Sequence, residues 1–574
     1  MKFLNIFKFF DKKNKYYFYF FLILNILTFL LEFLSLASVP IFISAMITPE
    51  YVLEKISTYN FIYLPKELDN TKIFIYASYF VLISFLLKNI FLISLTYFQD
   101  KYLKKLNIKI SKKIFDFYIN GPFSIHLDSN PSALARNISY EIQGSTSYLY
   151  QIFMLTRDVL TLTVVFILLS VVNFKITFGI IILLTLVLFI YIKKTKPVIK
   201  RLANFNQTTR KLINQIIFEA FGAIKDIKVL NKQSSVSNFF NSKVSQYEDN
   251  YFKFKLISKM PKFILELFAI TVIVSIGLIF SSSVENLEKI LPTLSVIAIS
   301  LLRFIPAFNS LNANYNYLRL YDVSINLIIK ELNKVHTFKN TNNNQVNKNI
   351  SIKKNFIEIN NLTFGFNEGQ NIFENLNLKI SKGEKICIIG PTGSGKTTLF
   401  HLILGLIYPK EGFIANNGNS IIDDLESWYK KIGYISQNIY IIDNSIKNNI
   451  TLNFNDETIN ERLLNESISI SQLKEKIKDS PFALETKVGM DGLKLSGGEK
   501  QRIAIARAIY RKPEIFLMDE FTSAIDEGTE EKIFNELIKN FPNKTLIMIA
   551  HKKSIVDKCD SVWKIQDKGI VRIK

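Results

Sequence analysis

Six long apolar runs alternate with lysine-rich polar segments over the first half of the chain, at about residues 17–47, 73–97, 148–172, 176–192, 263–281 and 290–308. Each comes near the ~20 apolar residues that a helix needs to cross a bilayer core. Long polar stretches follow the second run (98–147) and the fourth (193–262). Their composition suits helix, so they are predicted to extend the membrane helices into water. Two breaks predict short transverse helices there. Asn130-Pro131 reads as an N-cap followed by proline at the first helical position. Gly222 interrupts the second stretch. The first apolar run is too long and too internal for a cleaved leader. Residues 331–355, rich in Asn and Lys, read as a linker. The predicted organisation is a membrane domain over 1–330, the linker, and a soluble domain over 356–574.

Charge orients this pattern. The net charge is +22, and 48% of the residues are hydrophobic, with 49 phenylalanines. Lysines cluster before the first run (Lys2, Lys8, Lys12, Lys13, Lys15), after the second (Lys101 to Lys113) and after the fourth (Lys193 to Arg201). Positive loops stay on the cytoplasmic side, so the N-terminus and the soluble half are expected there. The alternative reading of the charge, nucleic-acid binding, is set aside because the lysines flank apolar runs. Cys387 and Cys559 are the only cysteines, and both fall in the soluble half, where no disulfide is expected.

The soluble half carries the chemistry. Gly390, Pro391, Thr392, Gly393, Ser394, Gly395, Lys396, Thr397 and Thr398 fit the phosphate-binding loop G-x-x-x-x-G-K-[ST]. A strand-like Lys385–Ile389 precedes it and a helix-like segment from Leu399 follows. In that context backbone N–H groups and a helix N-terminus face phosphate oxygens. Lys396 reaches the outer phosphates of a nucleoside triphosphate, and Thr397 is a ligand for Mg2+. Ile515–Met518 is an apolar run that ends in Asp519 and Glu520. Asp519 is placed to hold Mg2+ and Glu520 to activate an attacking water. Ser496, Gly497 and Gly498, at a helix start, are suited to grip a γ-phosphate.

The pentapeptide Leu495–Glu499 resembles the signature of the ATP-binding cassette (ABC) ATPases, and the rest of the soluble half extends the likeness. The resemblance implies an α/β phosphate-loop NTPase behind an all-α six-helix transmembrane domain, together a multi-domain membrane protein of half-size exporter type. It implies that Gln437 senses Mg2+ and water, that Ser523–Asp526 lies at a dimer interface, that His551 contacts the γ-phosphate, and that Phe366 stacks on adenine. The cofactors would be ATP and Mg2+. With one loop and one signature per chain, two composite sites require a C2 homodimer. Three positions depart from the usual pattern: Glu499 stands for Gln, Phe366 for Tyr, and Met490 for Glu.

Ionisable residues inside apolar runs point to cargo, because charge at mid-bilayer costs about 2.5–3.5 kcal/mol on insertion scales. Lys88, Lys262 and Arg303 are the candidates for a positively charged cavity, suited to an anionic headgroup such as a pyrophosphate. Arg157 and Asp158 are adjacent and are a candidate structural pair. The segments Ser300–Asn309, Lys430–Tyr440 and Glu485–Gly489 are similar to the PglK-type flippases of lipid-linked oligosaccharides in bacterial protein N-glycosylation. That resemblance implies a polyprenyl-pyrophosphate-linked oligosaccharide as cargo, membrane lipid as partner, and the bacterial cytoplasmic (inner) membrane as location. It also implies a lipid-touching external helix, for which Tyr51–Leu64 is the candidate. Ser310 stands where the family carries another arginine. The alternative cargo is a lipid, peptide or drug carried on the same scaffold. No nucleic-acid partner is expected.

Overall fold

The computed structural model describes residues 11–47, 49, 70–172, 174–280, 287–342, 356–366, 369–453, 459–489, 492–522, 524–550 and 552–574, with the side chains of 47, 70, 128, 172, 174–189, 192, 265, 268, 269, 272, 273, 276–280, 287–302 and 339–342 outside the description. The candidate external helix Tyr51–Leu64, Met490, Ser523 and His551 therefore lie outside the described residues. Two compact units emerge, Met1–Gly121 with Ile125–Thr341, and Pro122–Ser124 with Asn342–Lys574.

The first unit is helical. Its long helices are α1 (Lys12–Ile47), α2 (Asn70–Asn120), α5 (Ile142–Val172), α6 (Phe174–Gly222), α8 (Gln233–Phe280) and α9 (Leu287–Asn342). At ~1.5 Å rise per residue, α9 with its 56 residues runs some 84 Å, far beyond a hydrocarbon core of about 30 Å. The polar stretches do continue the apolar runs as single helices. Among the described residues, three helical stretches are long and apolar enough to cross a membrane: Lys12–Met46, Thr71–Asn120 and Pro131–Val171.

Short helices stand at the two sequence breaks. After α3 (Ser124–Asp128), α4 (Pro131–Arg136) starts at Asn130, whose side chain accepts from the Ser132 N–H with proline at the helix start. Next, α7 (Ile224–Val229) follows Gly222. A π-turn, Asn137–Glu141, joins α4 to α5. Its extra residue turns Asn137 inward, where Nδ2 donates to Tyr118 Oη at 3.0 Å, and that hydroxyl donates to Glu331 Oε2 at 3.0 Å.

Glu331 marks a difference from the sequence pattern. The linker expected from 331 begins later, because α9 continues to Asn342. Ile325, Ile328, Leu332 and Val335 form one buried stripe at helical spacing in the core they share with α2 and α5. Lys330, Asn333 and Lys334 are exposed, while Glu331 is buried on its bond from Tyr118, so a low apolar content conceals an amphipathic helix.

The second unit contains two sheets. One is antiparallel, with strand order β2-β1-β4-β5: β1 (Ile357–Phe364), β2 (Phe373–Ile380), β4 (Glu411–Asn416) and β5 (Asn419–Ser420). The other has the order β10-β9-β3-β8-β7-β6 and contains β3 (Lys385–Ile389), β6 (Ile432–Ile435), β7 (Ile515–Asp519), β8 (Thr545–Ile549), β9 (Ser561–Gln566) and β10 (Gly569–Arg572). All its pairings are parallel except β9 with β10. All five residues of β7 and of β8 are buried, as expected of central parallel strands covered on both faces. Within this unit Phe123 packs on the sheet core, edge-on to the ring of His401 at 5.9 Å.

Candidate nucleotide site and charged residues of the membrane domain

The phosphate loop leaves the C-terminal end of β3 at a central position of the parallel sheet, where such sheets place ligands. It enters α10 (Lys396–Ile403). Gly393 (φ 82°) and Gly395 (φ 95°) are left-handed, and a Cβ on Gly395 would come within 2.6 Å of Ile372 and 2.9 Å of Phe373. Only glycine gives this turn, which points successive N–H groups into the loop. Lys396 Nζ lies across it, donating to the carbonyls of Gly390 (2.8 Å) and Pro391 (3.0 Å).

The register of β7 beside β8, with Asp519 opposite Ile549, carries the acids to the same edge of the sheet. Asp519 is buried, and the Thr397 hydroxyl bonds to its carboxyl group. Burial pushes this carboxyl above the ordinary carboxylate range. The Thr397 bond and the Lys396 charge pull it back, while Glu520 adds to the rise. Its Oδ2 is buried with no hydrogen-bond partner. Glu520 is left-handed (φ 47°), which turns its side chain away from the direction of the strand. Gln437, just after β6, donates from Nε2 to Glu520 Oε2 at 2.7 Å. Thus Lys396, Thr397, Asp519, Glu520 and Gln437 converge at one end of the sheet. Phe366 is 58% exposed, and its ring stands at 83° to that of Phe364 with the centres 5.1 Å apart.

The signature forms the start of a helix, α11 (Gly497–Tyr510). Ser496 is its N-cap, accepting from the Glu499 N–H, while Glu499 Oε2 accepts from the Ser496 N–H at 2.7 Å. Gln would make the same reciprocal pair; what Glu adds at 499 is the ion pair with Lys476. Burial alone would raise the Glu499 carboxyl, but the Ser496 N–H and Lys476, 3.0 Å away, hold it below the ordinary range. A charged acid in the first turn also complements the helix dipole. Gly498 has no room for a side chain, since a Cβ would meet the Ala524 carbonyl at 2.9 Å. Glu499→Ala is expected to lower the stability of the second unit by about 1 kcal/mol, read as a fall in its thermal midpoint. Cys387 and Cys559 are both buried and free.

Of the membrane candidates, Lys88 and Arg303 come together on one ring, while Lys262 stands apart. Lys88 is 2% exposed and pairs with Glu32 at 3.6 Å, an acid in the first apolar run that a search for basic residues passes over. Lys88 and Arg303 lie against one ring, Phe85, at 4.6 and 5.9 Å from its centre. Lys262 is exposed and pairs with Glu266 one turn on. Arg157 and Asp158 take different partners. Arg157 Nη2 donates to Gln99 at 3.3 Å and to Thr96 at 3.4 Å, and Gln99 in turn donates to Asn25 at 3.2 Å. Asp158 accepts from Asn314 at 2.8 Å, and Asn314 also donates to Ser310 at 3.0 Å. Ser310, in the place of an arginine, thus belongs to an acid-centred group.

A helical membrane domain, joined in one chain to an α/β domain with a phosphate loop and a capped Ser-Gly-Gly helix, defines an ATP-hydrolysing membrane transporter. Residues 45–305 match the family described as ABC transporter transmembrane region, and residues 373–523 the family described as ABC transporter. The chain is similar to the ATP-dependent lipid A-core flippase of Ralstonia nicotianae, at 23% identity over 83% of this chain and 80% of the relative. The corresponding flippase of Cupriavidus pinatubonensis is 24% identical over 79% and 77%. A solved bacterial Atm1-family ABC exporter with ATP bound has the same fold, with a TM-score of 0.71 at 19% identity, covering 95% of this chain and 93% of its own. The chain belongs to the ABC transporters, as an exporter-type half-transporter with fused membrane domain and cassette.

Proposed function

We propose that the protein is a homodimeric flippase that uses ATP hydrolysis to move an anionic glycolipid, a polyprenyl-pyrophosphate-linked oligosaccharide for protein glycosylation, across the bacterial cytoplasmic membrane. The observation that carries this reading is the placement of Lys88 and Arg303 on one aromatic ring within the membrane domain, with Glu32 as the carboxylate that pairs with Lys88. One uncancelled positive charge per chain, doubled in a dimer, suits a phosphate-bearing headgroup. The two relatives named as flippases of lipid A-core favour a second reading, a glycolipid with acyl chains in place of the polyprenyl tail.

In the cassette, the loop N–H groups and Lys396 bind the phosphates, and the ring of Phe366 stacks on the base. Mg2+ fits the residues present. Asp519 Oδ2 is a buried oxygen without a hydrogen-bond partner, beside the Thr397 hydroxyl. Thr397, Asp519 and Gln437 would hold the ion, which supplies charge neutralisation to the phosphates. Glu520 takes a proton from the attacking water, and the Gln437 hydrogen bond holds its carboxylate in place. Ser496, Gly497 and Gly498 serve the site on the second copy, and His551 completes the contacts to the terminal phosphate.

Proteoliposomes with ATP inside or outside test the cargo. Wild type is expected to translocate a lipid-linked oligosaccharide, and Arg303→Ala to lower that rate at least ~10-fold without loss of ATP binding. Translocation of lipid A-core in its place would establish the second reading. Stimulation by amphipathic drugs, with neither glycolipid moved, would overturn both.

A further inference from the structure

Glu499 is the third residue of α11, and its Oε2 accepts from the Ser496 N–H at 2.7 Å. Its other oxygen, Oε1, lies 3.0 Å from Lys476 Nζ. Ammonium, carboxylate and N-cap amide thus form one chain of contacts that ends on Ser496. Ser496 Oγ accepts from the Glu499 N–H at 3.2 Å, which leaves the hydroxyl hydrogen to donate elsewhere. Lys476 belongs to the short helix Lys474–Lys478, which is tied to α11 in two ways. Leu473, fully buried, and Ile477 pack in one cluster with Ile503 and Ala506 of α11. Arg502 Nη1 donates to the Gln472 carbonyl at 2.8 Å. These contacts hold the lysine backbone beside the signature, so the ion pair orders two side chains and no backbone. The two side chains are 29% and 15% exposed, short of the full hydration that makes surface pairs weak.

A negative charge in the first turn stabilises a helix, but it repels a second anion held at the same end. Glu499 is such a charge. Its carboxylate lies one hydrogen bond from the backbone of Ser496, the residue whose hydroxyl faces a γ-phosphate in the reading above. A glutamine at 499 closes the same capping box without a charge. In this chain the charge is balanced from outside α11, by Lys476. A balance of two charges differs from a neutral amide in one respect. Removal of either partner leaves charge of the opposite sign beside the phosphate. Lys494 and Lys500 flank the signature in sequence and form a background common to every variant below.

We propose that Lys476 and Glu499 are positioning residues that set how strongly the signature holds a γ-phosphate: Glu499 weakens the hold by repulsion, and Lys476 restores it by pairing with that carboxylate. That the phosphate sits on the loop of a second copy rests on the homodimer reading above. The pair touches no reacting atom and acts on ground and transition state alike, so it shifts the KM for ATP and leaves kcat nearly unchanged. ADP has no γ-phosphate, so its affinity for the phosphate loop does not depend on the pair.

Steady-state ATP hydrolysis by the full-length protein in nanodiscs, with ADP as competitive inhibitor, tests the proposal. Lys476→Met is expected to raise the KM for ATP at least ~3-fold, and Glu499→Gln to lower it at least ~3-fold, with kcat in both close to wild type. The double variant is expected to return to the wild-type KM. The ADP inhibition constant is expected to be the same in all four proteins. Raising KCl from about 50 mM to about 500 mM shortens the screening length and should bring both single variants toward wild type. Glu499→Gln keeps the capping box, and Lys476→Gln is a second way to remove the ammonium, so a folding defect in one variant, seen in its melting curve, does not decide the result. KM shifts of the same sign in the two single variants, no shift in either, or an equal shift for ADP would overturn the proposal and leave the pair a purely structural role. Ser496→Asp separates the proposal from the reading it rests on. It keeps an N-cap side chain and places a carboxylate against the phosphate, so hydrolysis is expected to fall at least ~10-fold. If Ser496→Asp hydrolyses ATP as wild type does, the signature does not hold the phosphate, and the composite site fails together with the proposal. If Ser496→Asp is inactive while the two charge variants leave the KM for ATP in place, the composite site stands and the proposal alone falls.

Discussion

Glu520→Gln is expected to bind ATP as tightly as wild type and to hydrolyse it at least ~100-fold more slowly, in line with the 10²–10⁴-fold contribution typical of a positioned general base. The exchange is nearly isosteric, and the amide oxygen of the new side chain can still accept from Gln437 Nε2, as Glu520 Oε2 now does at 2.7 Å. The left-handed turn at 520 and the bond from its N–H to the Ile549 carbonyl at 3.1 Å belong to the backbone and survive. What is lost is the ability to take a proton from water. The variant should therefore retain ATP through gel filtration at stoichiometric levels, where the wild type releases ADP. Lys396→Ala gives the contrasting result, loss of retention itself, because it removes a phosphate contact and not the base. Hydrolysis by Glu520→Gln near the wild-type rate would show that another group activates the water.

The phosphate loop was legible because its residues are contiguous and its backbone geometry restricts the residue type. The left-handed angles at Gly393 and Gly395 and the crowded Cβ position at Gly498 are written into the chain as glycines. Asp519 and Glu520 end a fully buried strand, so their arrival at the sheet edge follows from the register. The role of Glu499 was not legible, because a lysine partner at 476 explains what consensus alone marks as a departure. The membrane domain was harder to read. Its buried polar groups find partners on other helices, as Asn25 does with Gln99 and Gln99 with Arg157, and no local spacing announces such pairs. The amphipathic end of α9 was missed for a different reason. Past residue 330 two buried residues, Leu332 and Val335, with Phe338 packed beside them, keep the helix on its core, and an average over composition dilutes them below notice.

Lys88→Ala is expected to destabilise the membrane domain by about 3–5 kcal/mol, because it strands the carboxylate of Glu32 in a buried site. The pair is built to be matched: both residues are buried, the ammonium lies 3.6 Å from the carboxylate, and the ring of Phe85 supports the ammonium at 4.6 Å. Glu32→Gln should cost less, since the amide can still accept from the ammonium and the aromatic ring remains. Replacing both, with Glu32→Gln and Lys88→Met, removes the uncompensated charge and should return the thermal midpoint close to that of wild type. This set of variants decides how a transport defect is read. A loss of flipping in Lys88→Ala alone has two causes, a damaged fold and a missing contact to the headgroup. If the stable double variant also fails to flip, while ATP hydrolysis persists, the ammonium serves the cargo as well as the fold. If the double variant flips normally, the pair is structural, and the positive charge offered to the substrate rests on Arg303. A Lys88→Ala protein as stable as wild type would show that the Glu32 carboxylate needs no cation, and both conclusions would fall with it.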